Sequence, residues 1–447
     1  MARPNVIYVF ADQWRGQATG YAGDPNVRTP HLDALEKESV NFHEAVSGCP
    51  VCAPYRGSLM TGQYPVNHGV FLNDVRLSTP SVKLAEVFAS GGYDTAYIGL
   101  WHLDGSDRSA PIPPQRRLGF RHWQAFGCRH DYHHSPYYEG DSETPRYWEG
   151  YDAWAQTESA ISYFSKRGTD QPFLLMLAWG PPHTHNIPAP EEFRSLYDPA
   201  ALTLRPNVPA SHDAMARKAL AAYYSHCSAL DHAVGRLQQA IRDAGLEENT
   251  IFVFTSDHGD MLGSQGEFNK QRPWDESIRV PFLLKYPGLK GWRPGRLDGR
   301  LDAPDVMPTL LGLCGLPIPE TVEGTDFSPA IRRECTMENH DALISCPHPF
   351  GQWSPQQGGR EYRGLRTHRY TYVRALDGPW YLYDNEADPW QMHNLADDPS
   401  HAELRAELDP RLQARLDRIG DPFLPGEAYV RKWGYSVGEN GAVPYQG

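Results

Sequence analysis

Cysteine is scarce in this chain. Seven residues among 447, Cys49, Cys52, Cys128, Cys227, Cys314, Cys335 and Cys346, are too few and odd in number for a disulfide scaffold. Long apolar runs are missing as well. Hydrophobic residues make up 40%, and no run approaches the ~20 residues that span a bilayer, so no membrane partner is expected. Positive charge is short: 42 Lys and Arg stand against 55 Asp and Glu, a net charge of −13. That argues against a nucleic-acid or anionic-membrane partner. No internal repeat and no low-complexity tract occurs. No apolar leader precedes the first strand pattern, so a cytoplasmic location is expected.

What is present is an alternation of buried strands and helices. Asn5 to Ala11 is a near-continuous β-branched and aromatic run, the pattern of a central parallel strand covered on both faces. Similar runs are Thr95–Gly99, Pro172–Trp179, Thr250–Ser256 and Val280–Tyr286. Helical patterns lie between them: Thr29–Leu35 with Pro30 at its first turn, Val82–Ser90 stopping at Gly91-Gly92, and Ala214–Ala244 stopping at Gly245. Another helix starts near Pro304 and gives way to a loop by Pro319. The expected fold class is α/β, a large, mixed, mostly parallel sheet sandwiched by helices, over residues 1–340. From about residue 341 the pattern changes to hairpin alternation, Tyr362–Arg374 and Trp380–Tyr383 with Asp377-Gly378 as a turn, then a helix over His401–Ile419. Residues 341–447 are therefore expected to form a small antiparallel α+β unit with a surface tail, running near the site or a partner subunit.

The chemistry centres on Cys52, in Val51-Cys52-Ala53-Pro54-Tyr55-Arg56-Gly57-Ser58. Pro54 suits the first turn of a helix, where its missing N–H costs nothing. Free N–H groups and the helix dipole there stabilise an anion, and Arg56 adds a planar cationic fork. A Cys in that setting points to chemistry on an oxyanion ester. Cys49 and Cys52 also form a C-x-x-C pair, but no second pair exists to complete a zinc site.

With Cys-x-Pro-x-Arg in place, the chain resembles the type I sulfatases of the alkaline-phosphatase superfamily. The resemblance implies oxidation of Cys52 to Cα-formylglycine by a maturation enzyme, and a hydrated aldehyde as nucleophile. Tyr55 stands where the family usually has Ser or Ala. The resemblance also implies a divalent metal beside position 52. Here its ligands are Asp12-Gln13 after the first strand and Asp257-His258 after a later one, with position 52 itself. The resemblance implies calcium as the first choice; an amide and an imidazole among the ligands weaken the preference for a purely hard ion and make manganese or another divalent ion the second.

The same resemblance gives roles to further residues. Lys270 and Arg56 stabilise the equatorial oxygens of the transferred group. His183 in Gly180-Pro181-Pro182-His183 sits on the leaving-group side, with His185 as a weaker neighbour. His102 in Gly99-Leu100-Trp101-His102 is the base that regenerates the aldehyde. Leu100 replaces the family lysine, and Arg272 or Lys37 is the candidate substitute cation. Asn73 contacts the nucleophile or the substrate, or is a turn residue bonding its own backbone. Tyr137 belongs to an aromatic loop, Tyr132 to Trp148, suited to a sugar or aryl group.

The expected activity is hydrolysis of a carbohydrate or aryl sulfate ester. Gln13, His258, Asn73 and Leu100 also resemble the phosphonate monoester hydrolases, so that activity or phosphodiester hydrolysis is the rival. Leu100 and Tyr55 motivate a second rival, a pseudo-sulfatase that binds sulfated glycans without cleaving them. A homo-oligomer is left open.

Overall fold

A computed structural model describes residues 3–167, 171–183 and 186–446. Its strands are β1 (Asn5–Asp12), β2 (Val40–Asn41), β3 (Asp94–Leu100), β4 (His122–Phe126), β5 (Pro136–Glu139), β6 (Arg146–Tyr147), β7 (Phe173–Pro182), β8 (Thr250–Ser256), β9 (Phe282–Lys285), β10 (Gly295–Arg296), β11 (Ala342–Cys346), β12 (Tyr362–Arg366), β13 (Tyr370–Ala375) and β14 (Gly378–Asp384). Two sheets result, ordered β10-β2-β9-β8-β1-β7-β3-β4-β5-β6 and β11-β12-β13-β14.

The centre of the large sheet, β8-β1-β7-β3-β4, is parallel throughout. Antiparallel pairs enter toward both ends, at β8–β9 and β4–β5. β1 shows why helices must cover both faces. Val6, Tyr8 and Phe10 enter one apolar cluster, while Ile7, Val9 and Ala11 enter another, as a side-chain period of two requires. Residues of the helices Cys52–Thr61, Leu84–Ser90 and Ala303–Cys314 fill the first cluster. The helices Asp152–Ser165 and Asp213–Asp243 fill the second.

The small sheet is an antiparallel meander. Leu343 joins the first cluster together with Leu408, Leu412 and Leu416 of the helix Ala402–Ile419. Ala342, Ile344 and Cys346 instead pack with Val46 and Ile278 of the large unit. Both faces are thus covered, and the two sheets share one continuous core.

Several elements differ from the sequence reading. The expected run Tyr362–Arg374 is two strands, because Thr367 N donates to Tyr370 O (2.8 Å) and closes a turn inside it. The strand expected from Val280 begins at Phe282, since Pro281 cannot donate to a ladder. The helix Asp152–Ser165 was not anticipated; its mixed aromatic and polar composition hides the helical period. Among the described residues no helix is long and apolar enough to cross a membrane.

Open α/β sheets bind ligands beyond the carboxyl ends of their strands. Four neighbours end in chemistry-bearing residues here. β8 runs into Asp257 and His258, β1 ends on Asp12, β7 leads to His183, and β3 leads to His102.

Candidate active site

The backbone bends sharply where these strands stop. Gln13 (φ 73°), His102 (φ 56°), Asp74 (φ 64°), Asn269 (φ 65°) and Gln271 (φ 75°) all lie in the left-handed region. Such conformations in non-glycine residues persist only where the surroundings hold them, and they concentrate at functional sites. Gly99 allows the bend at β3: a Cβ there would lie 2.1 Å from Ala178 O.

Cys52 begins its helix, as Val51 stays extended at the cap, and it is only 1% exposed. Its Sγ lies 3.4 Å from Asp12 Oδ1, 3.2 Å from His258 Nε2 and 3.0 Å from Lys270 Nζ. Ligand atoms of Asp12, Cys52, Asp257 and His258 lie within 4.8 Å of one another, all buried. Gln13 joins them from the side. Its N–H donates to Asp257 Oδ1 (2.9 Å), and its amide nitrogen donates to Asp260. Its Oε1 is buried with no hydrogen-bond partner among the described residues. His258 Nδ1 lies 2.9 Å from Gly259 O, which makes Nδ1 the donor and turns the lone pair of Nε2 inward.

Arg56 lies beneath this group, fully buried. Its Nη2 donates to Asp12 Oδ2 (3.3 Å) and Asp257 Oδ2 (3.2 Å), and its Nη1 donates to Leu100 O. The sequence reading gave Arg56 to the oxygens of the transferred group. In the structure its guanidinium is engaged by the two carboxylates. On the other side Lys270 Nζ lies 2.8 Å from His183 Nε2, and His130 stacks on His183 with ring centroids 4.1 Å apart.

The electrostatics follow from charges packed out of water. Burial, then Asp257, pushes the Asp12 carboxyl up to about 6. Burial works to raise Asp257 too, but His258, Arg56 and Lys270 outweigh it and hold it below the usual range. Burial pulls His258 down to about 3, so it is neutral. Burial, Lys270 and His130 likewise hold His183 well below its ordinary value. Burial opposes the Lys270 ammonium, but Cys52 and Asp12 more than offset it and raise its pKa. Lys270 therefore donates, and His183 Nε2 accepts.

Other predicted residues fall at varied distances from this centre. Asn73 Oδ1 accepts from Ala53 N (3.1 Å), so it caps the first turn beside Cys52. His102 Nε2 lies 3.4 Å from Asp74 Oδ1. Tyr55 is buried with its hydroxyl 2.9 Å from that of Tyr8. Leu100 packs with Phe126 and Cys128. Neither substitute cation contacts Cys52 in the described hydrogen bonds: Arg272 bonds Glu267 Oε2 and Lys270 O (both 2.6 Å), and Lys37 is exposed at the end of its helix. Tyr137 stacks on Trp148 at 3.8 Å. His185 lies outside the described residues.

Sequence reasoning missed Asp74, which faces His102; Arg108, which bonds Asp74; Cys128, which lies beside His102; His130, which stacks on His183; and Asp260, which accepts from Gln13. Only Asp74, next to Asn73, and Asp260, three residues past Asp257, carried a local signal. Arg108, Cys128 and His130 arrive through loops with no motif.

Comparison with known proteins places the chain in a family. The Sulfatase family model matches residues 4–316. A second model, N-sulphoglucosamine sulphohydrolase, C-terminal, matches residues 263–418. An ulvan-active sulfatase of Formosa agariphila is 45% identical over 99% of this chain and 87% of its own. An endo-4-O-sulfatase of Bacteroides thetaiotaomicron is 32% identical over 94% and 93%. A solved B. thetaiotaomicron structure, described in connection with the metabolism of multiple glycosaminoglycans, superposes with TM-score 0.85 at 29% identity, covering 96% of this chain and 98% of that one. The phosphonate monoester hydrolase of Agrobacterium radiobacter shares the fold, with TM-score 0.75 at 22% identity over 93% and 96% of the two chains.

Proposed function

The chain belongs to the sulfatase family and is a sulfuric ester hydrolase, and from that premise we propose that it removes sulfate from a sulfated glycan, using position 52 as Cα-formylglycine with a divalent ion beside it. One observation carries the reading: Asp12, His258 and Lys270 all converge within 3.4 Å of Cys52 Sγ.

The donor set suits a divalent ion for three reasons. Two buried carboxylates share the site, and burial followed by repulsion from Asp257 pushes Asp12 up to about 6 despite Lys270 and Arg56 beside it. His258 turns an unprotonated nitrogen inward. Gln13 Oε1 is a buried acceptor with nothing to accept. Calcium comes first because the sulfatase family typically uses it; the imidazole of His258 weakens the preference for a purely hard ion and makes manganese the second candidate. When bound and matured, the ion and the hydrated aldehyde supply a Lewis acid and a nucleophilic oxygen against the sulfuryl group.

The chain's own residues do the remainder. Asp12, Gln13, Asp257 and His258 hold the ion. Arg56 keeps both carboxylates charged and aimed, so it acts through them. Lys270 Nζ donates to the sulfuryl oxygens and holds the proton on the leaving-group side. His183, neutral, orients that ammonium. His102, backed by Asp74, takes up the proton that must leave position 52 when the aldehyde returns. Asn73 fixes the first turn under position 52. A formylglycine-generating maturation enzyme is the partner this scheme requires.

Ulvan is the first glycan to test, because the 45% identical relative is named for it. The enzyme should be produced with a formylglycine-generating enzyme and the aldehyde verified by peptide mass. Sulfate release from ulvan, from glycosaminoglycans and from an aryl sulfate is then compared with hydrolysis of an aryl phosphonate monoester. Sulfate release above the phosphonate rate is expected. Aldehyde-bearing protein that cleaves only the phosphonate ester overturns the reading.

A further inference from the structure

The segment Gly434–Gln446 approaches the site from the far end of the numbering. We infer that it works as a strap, positioning His102 through Tyr445, Arg108 and Asp74. The inference rests on the role given to His102 above.

Each link is a short contact. Gln446 N donates to Ser106 O (2.8 Å), and Arg108 N donates to Gln446 O (2.9 Å), a parallel bridge that ties the segment to the loop after β3. The Tyr445 ring lies under the Arg108 guanidinium, 3.5 Å from centroid to Cζ. Arg108 grips Asp74 with both arms, Nε and Nη2 each at 2.7 Å from a carboxylate oxygen. Asp74 Oδ1 faces His102 Nε2 at 3.4 Å. A guanidinium fork fixes a carboxylate in both distance and plane, and an aromatic face fixes the guanidinium in turn.

The same segment also holds the other loop. Tyr435 OH donates to Gly69 O (2.9 Å), and its ring packs on Phe71 with centroids 5.6 Å apart. The stretch from Gly69 to Asp74 is therefore pinned at one end by Tyr435 and at the other by Arg108. The backbone beneath His102 is pinned as well: His102 N donates to Gly127 O (2.8 Å), and Arg108 O accepts from Cys128 N (3.2 Å). Gly127 permits this approach, since a Cβ there would lie 2.4 Å from Arg108 O. Asp74 and His102 both have positive φ, so neither is held in place by ordinary backbone preference. The strap supplies that hold. Arg108 and Tyr445 are positioning residues; nothing in the scheme has them touch the reacting atoms.

The test uses the full matured enzyme and a small aryl sulfate. Tyr445 is 55% exposed, so Tyr445→Ala should leave folding intact. Misplaced His102 should lower kcat by about 10- to 100-fold while KM moves less than about threefold. Tyr445→Phe keeps the ring face and should keep kcat. Hydrogen exchange should rise in residues 71–76 and 102–109 of Tyr445→Ala, a readout that does not depend on which ester is cleaved. Unchanged kcat in Tyr445→Ala overturns the inference. So does KM rising with kcat steady, which makes the segment only a wall of the pocket, and so does equal loss in Tyr445→Phe. If wild type cleaves no sulfate ester but the exchange difference appears, the functional reading fails and the strap stands.

Discussion

Two of the buried charge clusters in this molecule, one around Arg363 and one around Cys52, differ in a single respect: only the first is complete. In the small unit Arg363 is fully buried against Asp421. Its Nε and Nη2 reach the two carboxylate oxygens, its Nη1 reaches Tyr362 O (2.9 Å) and Cys346 O (3.3 Å), and Nη2 also reaches Tyr429 OH (3.2 Å). Every donor of that fork has an acceptor. Around Cys52 the bookkeeping does not close. Two carboxylates crowd one guanidinium, Gln13 Oε1 has no donor among the described residues, and Asp12 is pushed up to about 6 by burial and Asp257. Buried polar groups are normally satisfied. A cluster that is satisfied stabilises a fold; one left open at strand ends is arranged for something that arrives later.

The contrast can be broken at several points. The largest effect should come from Cys52→Ala, which should cut turnover at least about 10⁴-fold with an unchanged melting temperature. Retained activity there would remove the centre of the scheme. Next is Arg363→Met in the closed cluster, which strands Asp421 and should cost about 3–5 kcal/mol of stability in denaturant melts, while kcat per folded molecule holds. Asp257→Asn should do the opposite, lowering kcat about 10²- to 10³-fold with little loss of stability.

Chelation sharpens the same comparison. Calcium at about 100 times its dissociation constant should raise unfolding free energy by about 2.7 kcal/mol in wild type and Arg363→Met, but not in Asp257→Asn. Calorimetry with and without the ion reads this directly. The smallest effect is on acid stability. Burial works to raise the Asp421 carboxyl, yet Arg363 and Tyr429 outweigh it and hold it below its ordinary value. A carboxyl lowered by folding contributes in full above its unfolded value, near about 3.9, and loses that contribution as pH falls through the folded one. Wild type and Asp421→Asn should therefore differ in melting temperature at pH 7, begin to converge only below about pH 4, and meet once the pH is below the lowered folded value.

The open cluster was legible in the sequence because strand ends are local events. Asp12-Gln13 and Asp257-His258 directly follow apolar runs, and Cys52 and Arg56 share one helical turn, so a short window holds each piece. Their convergence then follows from the parallel order of β8, β1, β7 and β3. The rim was not legible. Asp74, Arg108 and Tyr445 meet across 34 and 337 positions of chain, through loops with no periodicity to betray direction. Arg56 shows what a motif leaves unsaid. The motif names the residue, but the direction of its fork, toward the carboxylates beneath position 52, appears only in the folded chain. The closed cluster gave no sequence signal either, since an isolated Arg in a strand and an Asp after a helix are both ordinary.

The depth of Cys52 sets a schedule. With 1% of its surface reachable and a helix wound on from it, no second protein can close its own catalytic groups around that sulfur once the chain has collapsed. On the proposed scheme, any macromolecule that must rewrite this side chain has to meet it as an extended segment, before the chain folds around it.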